Sequence, residues 1–348
     1  MGGQISGRNP VIDILKGIGI VSMVMGHSNF GSLFEIYIAG FHMQLFFIIS
    51  GYLFKPNRHP QFKEYLKRKI YAILTPYALF AIITIIICEI INLFTSSKIY
   101  TGYEYFIGII WSNQSIFPIT GAIWFLQCTF WIEIGYYFIA KMKSLLNATG
   151  IVMAICLFSA VTSKLDIYLP FAIDSALSGM VFYHFGYMIS KYKKEKNSGD
   201  YHQLKFFIWV ITFCFNVYLI LLNGSVNPRT CEYSNFMLYY LNALIGTYIW
   251  FDFSYLIYLG NTKIVKNLSK CLQYIGLNSI VFLGFNQLII MGLYRLFSGI
   301  LPVEISYIRA ARNFIICLLT LVICIILTKV FHNNSFGWMI GKMAKNKV

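Results

Sequence analysis

Asp13, Lys16 and His27 stand in the first apolar run of the chain, and His42 stands in the second. An ionisable side chain at bilayer depth costs about 2.5–3.5 kcal/mol on insertion scales, so such residues line a cavity, pair together, or act on a substrate. At about 100° per residue, Asp13 and Lys16 lie about 60° apart, and His27 returns to within about 20° of Lys16. All three share one helix face. A rise of about 1.5 Å per residue separates Lys16 from His27 by roughly 16 Å along the axis. A long ligand with an anionic head, standing along that face, would meet a cation at one end and a base at the other. The plainer alternative is an i, i+3 ion pair between Asp13 and Lys16 with His27 at an interface; three residues on one stripe favour function.

The second run carries His42, then Phe46, Phe47, Ser50 and Gly51, where glycine permits close helix approach. Histidine takes and returns a proton near neutral pH, which suits general-base activation of a hydroxyl. A metal site needs convergent ligands, and His27 with His42 lacks an evident third and fourth partner, so no metal is expected. Further along, Trp124 precedes Gln127 and Glu133, and Asp174 follows Pro170 and Phe171. Trp124 reads either as an interfacial anchor or as a substrate platform. Glu133 and Asp174 are candidates for a polar cavity, while His184, Asp252, Asn286 and Arg295 are weaker ones. P-loop, nucleophile-elbow, zinc-protease and paired C-x-x-C motifs are missing, which leaves ATPase, serine-hydrolase and zinc-protease readings without support.

The elements that position these residues are membrane spans. Of 348 residues, 58% are hydrophobic, 18% aromatic and 12% charged, too apolar for a soluble domain of this size. Apolar runs of about 20 residues fall near 9–29, 33–54, 70–94, 119–140, 148–165, 169–190, 204–222, 235–258, 272–294 and 310–331. An all-α polytopic membrane protein of about ten helices follows, built as one domain over residues 1–348. Its 21 Lys and Arg residues in alternate loops face 6 in the others, so the positive-inside rule puts both termini in the cytoplasm. That pattern explains the net charge of +15 without nucleic acid. The first apolar run lacks a cleavage site and holds Asp13 and Lys16, so it is not a signal peptide. Eight scattered cysteines suggest neither a disulfide framework nor zinc. The basic stretch Arg58–Lys69, with Phe62, Tyr65 and Leu66 interleaved, reads either as an amphipathic helix on the inner leaflet or as a solvated loop. Tyr103–Trp111 reads as a short interfacial or re-entrant piece.

These residues resemble the membrane acyltransferase 3 family, closest to its fucose 4-O-acetylase-like branch. The likeness is strongest in Ile12-Asp13-Ile14-Leu15-Lys16-Gly17-Ile18 with Gly26-His27, and in Phe41-His42-Met43-Gln44-Leu45-Phe46-Phe47 with Ser50-Gly51-Tyr52. Ile123-Trp124-Phe125-Leu126, Pro170 to Ser175 and Tyr274 to Ser279 support it. Two departures are Gln44, where the branch usually has proline, and Asn286, near where many relatives have histidine. The resemblance implies transfer of an acyl group, usually acetyl from cytoplasmic acetyl-CoA as co-substrate, to a hydroxyl of a sugar or cell-envelope glycan. It implies His27 as catalytic base and the CoA near Arg8 and Lys16, in a multi-pass protein of the plasma or inner membrane. Asp13 would then orient the basic end, and His42, Ser50, Trp124 and Asp174 would help form the acceptor cavity. Composition also fits a transporter or flippase for a sugar or lipid-linked glycan, using Asp, Lys and His as a relay. Inverted repeats would mark that rival, and no pair of halves is evident. A glycan polymerase would carry a large outer loop, which is lacking here.

Overall fold

The computed structural model describes residues 8–58, 60–94, 102–111, 121–192, 204–298, 306–332 and 336–341. The chain termini and the lysine cluster at 193–196, used above to orient the chain, lie outside these residues. The fold is helical, as the apolar runs require. Its helices are α1 (Pro10–Gly26), α2 (Ser32–Ala39), α3 (His42–Leu53), α4 (Phe62–Lys69), α5 (Thr75–Phe94), α6 (Tyr103–Ile110) and α7 (Trp124–Ile139). There follow α8 (Leu145–Lys164), α9 (Ile173–Tyr192), α10 (Leu204–Asn223), α11 (Phe236–Leu259), α12 (Lys263–Leu277), α13 (Ser279–Ser298) and α14 (Ser306–His332). Among the described residues the only strands are β1 (Val226–Asn227) and β2 (Glu232–Tyr233), an antiparallel pair between α10 and α11.

Local chemistry sets the helix starts. Asn9 accepts from the Val11 amide ahead of Pro10, whose fixed φ suits the first helical position. Ser144, Asn235 and Thr262 cap α8, α11 and α12 in the same way. Two expected spans are split. Residues 33–54 form α2 and α3, broken at Gly40–Phe41, and residues 272–294 straddle the end of α12 and the start of α13. At the second break Asn278 turns its side-chain amide onto the Tyr274 carbonyl, meeting a carbonyl that helix continuation would have used. The basic stretch is helix rather than loop: α4 buries Tyr65, exposes Lys63, Lys67 and Arg68, and runs through a π-helical turn at Ile70–Leu74 into α5.

Seven helical stretches among the described residues are long and apolar enough to cross a membrane. The expected ten also uses α1, α9 and α11, which fall short of that length or apolarity. The centre is α1, packed by α3, α11, α12, α13 and α14. Two glycine crossings bring helices unusually close. Gly17 faces the Leu272 carbonyl while Gly276 faces the Asp13 carbonyl, and Gly51 faces the Tyr183 carbonyl while Gly186 faces that of Ile48. A Cβ at any of the four would overlap backbone oxygen. One apolar core lies between α3, α7 and α9 and a second between α1, α5, α7, α13 and α14.

Candidate active site

The stripe on α1 has two ends. At the Arg8 end, the Arg8 guanidinium meets the buried Asp13 carboxylate, Nε to Oδ2 at 3.2 Å. Asp13 is therefore paired with Arg8, five residues back, and not with Lys16 as an i, i+3 partner. Lys16 is half-buried within the field of both, and no ion pair to it is found among the described residues. A desolvated ammonium without a carboxylate against it is a fit for an anionic ligand group. The close α1–α12 crossing at Gly17 fixes the height of Lys16 next to it.

The His27 end is assembled from distant parts of the chain. His27 closes α1, its amide donating to the Met23 carbonyl at 3.1 Å. The backbone beyond it is clamped: Tyr294 donates to the Ser28 carbonyl at 2.8 Å, and Asn313 donates to that of Asn29 at 2.6 Å. His27 is exposed and is part of neither apolar core. Gln287 on α13 places its amide nitrogen 3.4 Å from each ring nitrogen. Its carbonyl is held by the Ala122 amide at 3.1 Å, which decides that the NH₂ end faces the imidazole.

Two further groups act on this end. His42 contacts the Ile38 carbonyl through Nδ1 at 2.7 Å; a carbonyl only accepts, so Nδ1 carries the proton and Nε2 is left as the ring's acceptor. Arg229 belongs to the turn joining β1 to β2. Its amide donates to Asn227, its carbonyl accepts from Ser175 at 3.0 Å, and its guanidinium lies against Gly121. The fields of His42 and Arg229 both reach His27. Burial, then the nearby Asp174 carboxylate, pushes the thiol of Cys231, two residues on, up to about 12.

The other expected residues are spread over α3, α7, α9 and α13. Ser50 is half-buried on α3, roughly 12 Å along the helix from His42. Trp124 is buried at the start of α7, edge-on to Phe125 at 6.2 Å, which stacks on Phe47 at 4.9 Å. Asp174 is buried and ties its own turn, accepting from the Leu169 and Ser175 amides at 3.3 and 2.8 Å. Glu133 pairs with Lys69 and accepts from Tyr65. His184 sits between Tyr136 and Thr149 at 2.8 and 3.1 Å. Asn286 folds back on the Phe282 and Leu283 carbonyls, and its neighbour Gln287 faces His27 instead.

Arg229 and Gln287 were not expected from sequence. Arg229 registers there only as one of six cations on the sparsely charged side, and Gln287 follows the more conspicuous Asn286. Their proximity to His27 comes from loop and helix contacts across more than 200 residues of chain, which leave no local spacing signal.

A family model described as an acyltransferase domain matches residues 9–329, a range that takes in the α1 stripe, the hairpin and α13. Comparison with curated proteins and with solved structures returns no match.

Proposed function

Because the chain belongs to the acyltransferase 3 family and is thus an enzyme that transfers acyl groups, we propose that it moves acetyl from acetyl-CoA to a hydroxyl of a sugar or cell-envelope glycan. The observation that carries this reading is the arrangement along the central helix: a cationic end at Arg8, just before α1, and Lys16 on it, and a histidine end at His27, where α1 closes, with the field of His42 of α3 on it. Arg8 and Lys16 hold the phosphates of the donor on the cytoplasmic side. The roughly 16 Å between Lys16 and His27 suits an extended thioester carrier.

At the other end, the acceptor hydroxyl donates to an unprotonated ring nitrogen of His27. As its oxygen bonds to the thioester carbonyl carbon, His27 takes the hydroxyl proton, and the carbonyl oxygen gains negative charge opposite Arg229. Collapse breaks the carbon–sulfur bond, and the departing CoA thiolate receives the proton from His27. The products are the O-acetyl ester and free CoA. His42, with Nε2 as acceptor, orients a neighbouring hydroxyl of the sugar, and Gln287 sets the His27 ring. Asp13 keeps Arg8 in place. Ser50, Trp124 and Asp174 shape the surroundings at one remove.

The test is release of CoA thiol from acetyl-CoA by purified protein in nanodiscs across a panel of glycans. Turnover with wild type that is lost in a folded His27→Ala variant is expected. A folded wild type that neither binds acetyl-CoA nor releases CoA with any acceptor would overturn the reading in favour of transport.

A further inference from the structure

A cavity of about 500 Å³ opens between the end of α8, the 166–168 turn and the β hairpin. Its volume falls within the range of small-molecule sites. Its lining is mixed: Lys164, Asp166, Ser225, Thr230 and Glu232 face it beside the apolar surface of Ile167 and Tyr168. Lys164, Asp166 and Glu232 are exposed, and no ion pair involves them among the described residues. Two carboxylates and one ammonium left apart from each other supply hydrogen-bond acceptors and donors without a strong net charge. That combination selects against a polyanion and against a polycation. A neutral polyhydroxyl ligand can use all three, and its C–H face can lie on the Tyr168 ring, which is 44% exposed.

Two of the lining residues are held in the left-handed region, Asp166 at φ 51° and Cys231 at φ 59°. Such conformations cost of order 1–3 kcal/mol each and persist where the surrounding structure imposes them, often at ligand sites. The hairpin also joins this cavity to the reacting end. Thr230 and Cys231 line the cavity, and the preceding residue, Arg229, lies against Gly121 with its field on His27.

We infer that this cavity binds a saccharide unit of the acceptor adjacent to the one that carries the reacting hydroxyl, with Asp166, Tyr168 and Glu232 setting acceptor specificity. The inference rests on the acyl-transfer reading for its role, and on the cavity alone for its ligand class. The full-length protein in nanodiscs is examined by saturation-transfer NMR with methyl glycosides of glucose, galactose, mannose, fucose and N-acetylglucosamine. At least one glycoside receives saturation, and Tyr168→Ala and the isosteric Glu232→Gln each reduce it about five-fold or more. Absence of transfer to every glycoside, or a signal that both variants retain, overturns the inference.

CoA release with a productive acceptor is measured on the same variants, and the expected result is a raised acceptor KM with kcat and acetyl-CoA KM retained. Turnover with unchanged acceptor KM would remove the cavity from the mechanism while leaving acyl transfer in place. Glycoside binding in a protein that releases no CoA would do the reverse.

Discussion

Gly17 and Gly276 are placed reciprocally, each against the carbonyl that lies four residues before the other glycine. This crossing sets α12 directly on the part of α1 that carries Asp13 and Lys16, so the cationic end depends on two absent side chains. Overpacking a close contact costs about 1–3 kcal/mol, and more where the obstacle is backbone. Gly17→Ala and Gly276→Ala should lower the thermal midpoint in detergent and the yield of folded protein. Gly150→Ala and Gly292→Ala, with open space around them, are the matched controls and should be near neutral. Equal behaviour of the two sets would remove the crossing from the account of stability.

Lys16→Ala is expected to raise the acetyl-CoA KM about ten-fold, the order of one charge-assisted contact, and Lys16→Arg to retain most of the affinity. Initial rates at saturating acceptor decide this. Because the Arg8 end is partly exposed, its contribution should weaken with added salt. An acetyl-CoA KM indifferent to both Lys16 and Arg8 would place the donor elsewhere.

Arg229→Ala should lower kcat by about 10²–10³, the usual cost of losing one donor to a developing oxyanion. Arg229→Lys should recover part of it. Gln287→Ala should lower kcat and shift the pH–rate profile, since Gln287 acts through the His27 ring. A purely structural role for either residue would alter stability while sparing the profile.

The Lys69–Glu133 pair joins α4 to α7 within the apolar body, and Tyr65 donates to the same carboxylate. Breaking a buried pair by removing one partner typically costs about 3–5 kcal/mol, because the other charge stays behind. Glu133→Ala is therefore expected to unfold in milder conditions than wild type, whereas Lys69→Met with Glu133→Gln together should recover much of the loss. Chemical denaturation monitored by tryptophan fluorescence reads both.

The α1 stripe was legible from sequence because helical periodicity alone places Asp13, Lys16 and His27 together. So was Gly51, whose role needs only a small residue in an apolar run. The partner of Asp13 was not, since Arg8 precedes the helix and obeys no helical spacing. The break at Asn278 was hidden inside a continuous apolar run. Trp124 and Asp174 stand out in sequence by residue type, but the aromatic neighbours of the one and the amide contacts of the other come from packing, which no local spacing signals. Gln287 illustrates the same limit, since its orientation comes from the Ala122 amide.

The hairpin is fastened through Ser163 to the Cys231 carbonyl, Ser175 to the Arg229 carbonyl and Tyr233 to Ser178, all contacts with α8 and α9. None of these ties involves α1 or α12, which hold the cationic end. On the acyl-transfer reading, recognition of the two substrates is built on separate portions of the bundle, and a lineage could exchange residues 162–168 and 230–234 for others, keeping Arg229, while leaving donor binding intact. Acceptor range is in this sense the evolvable variable of the architecture, and chimaeras joined at those two segments are the natural way to redirect it.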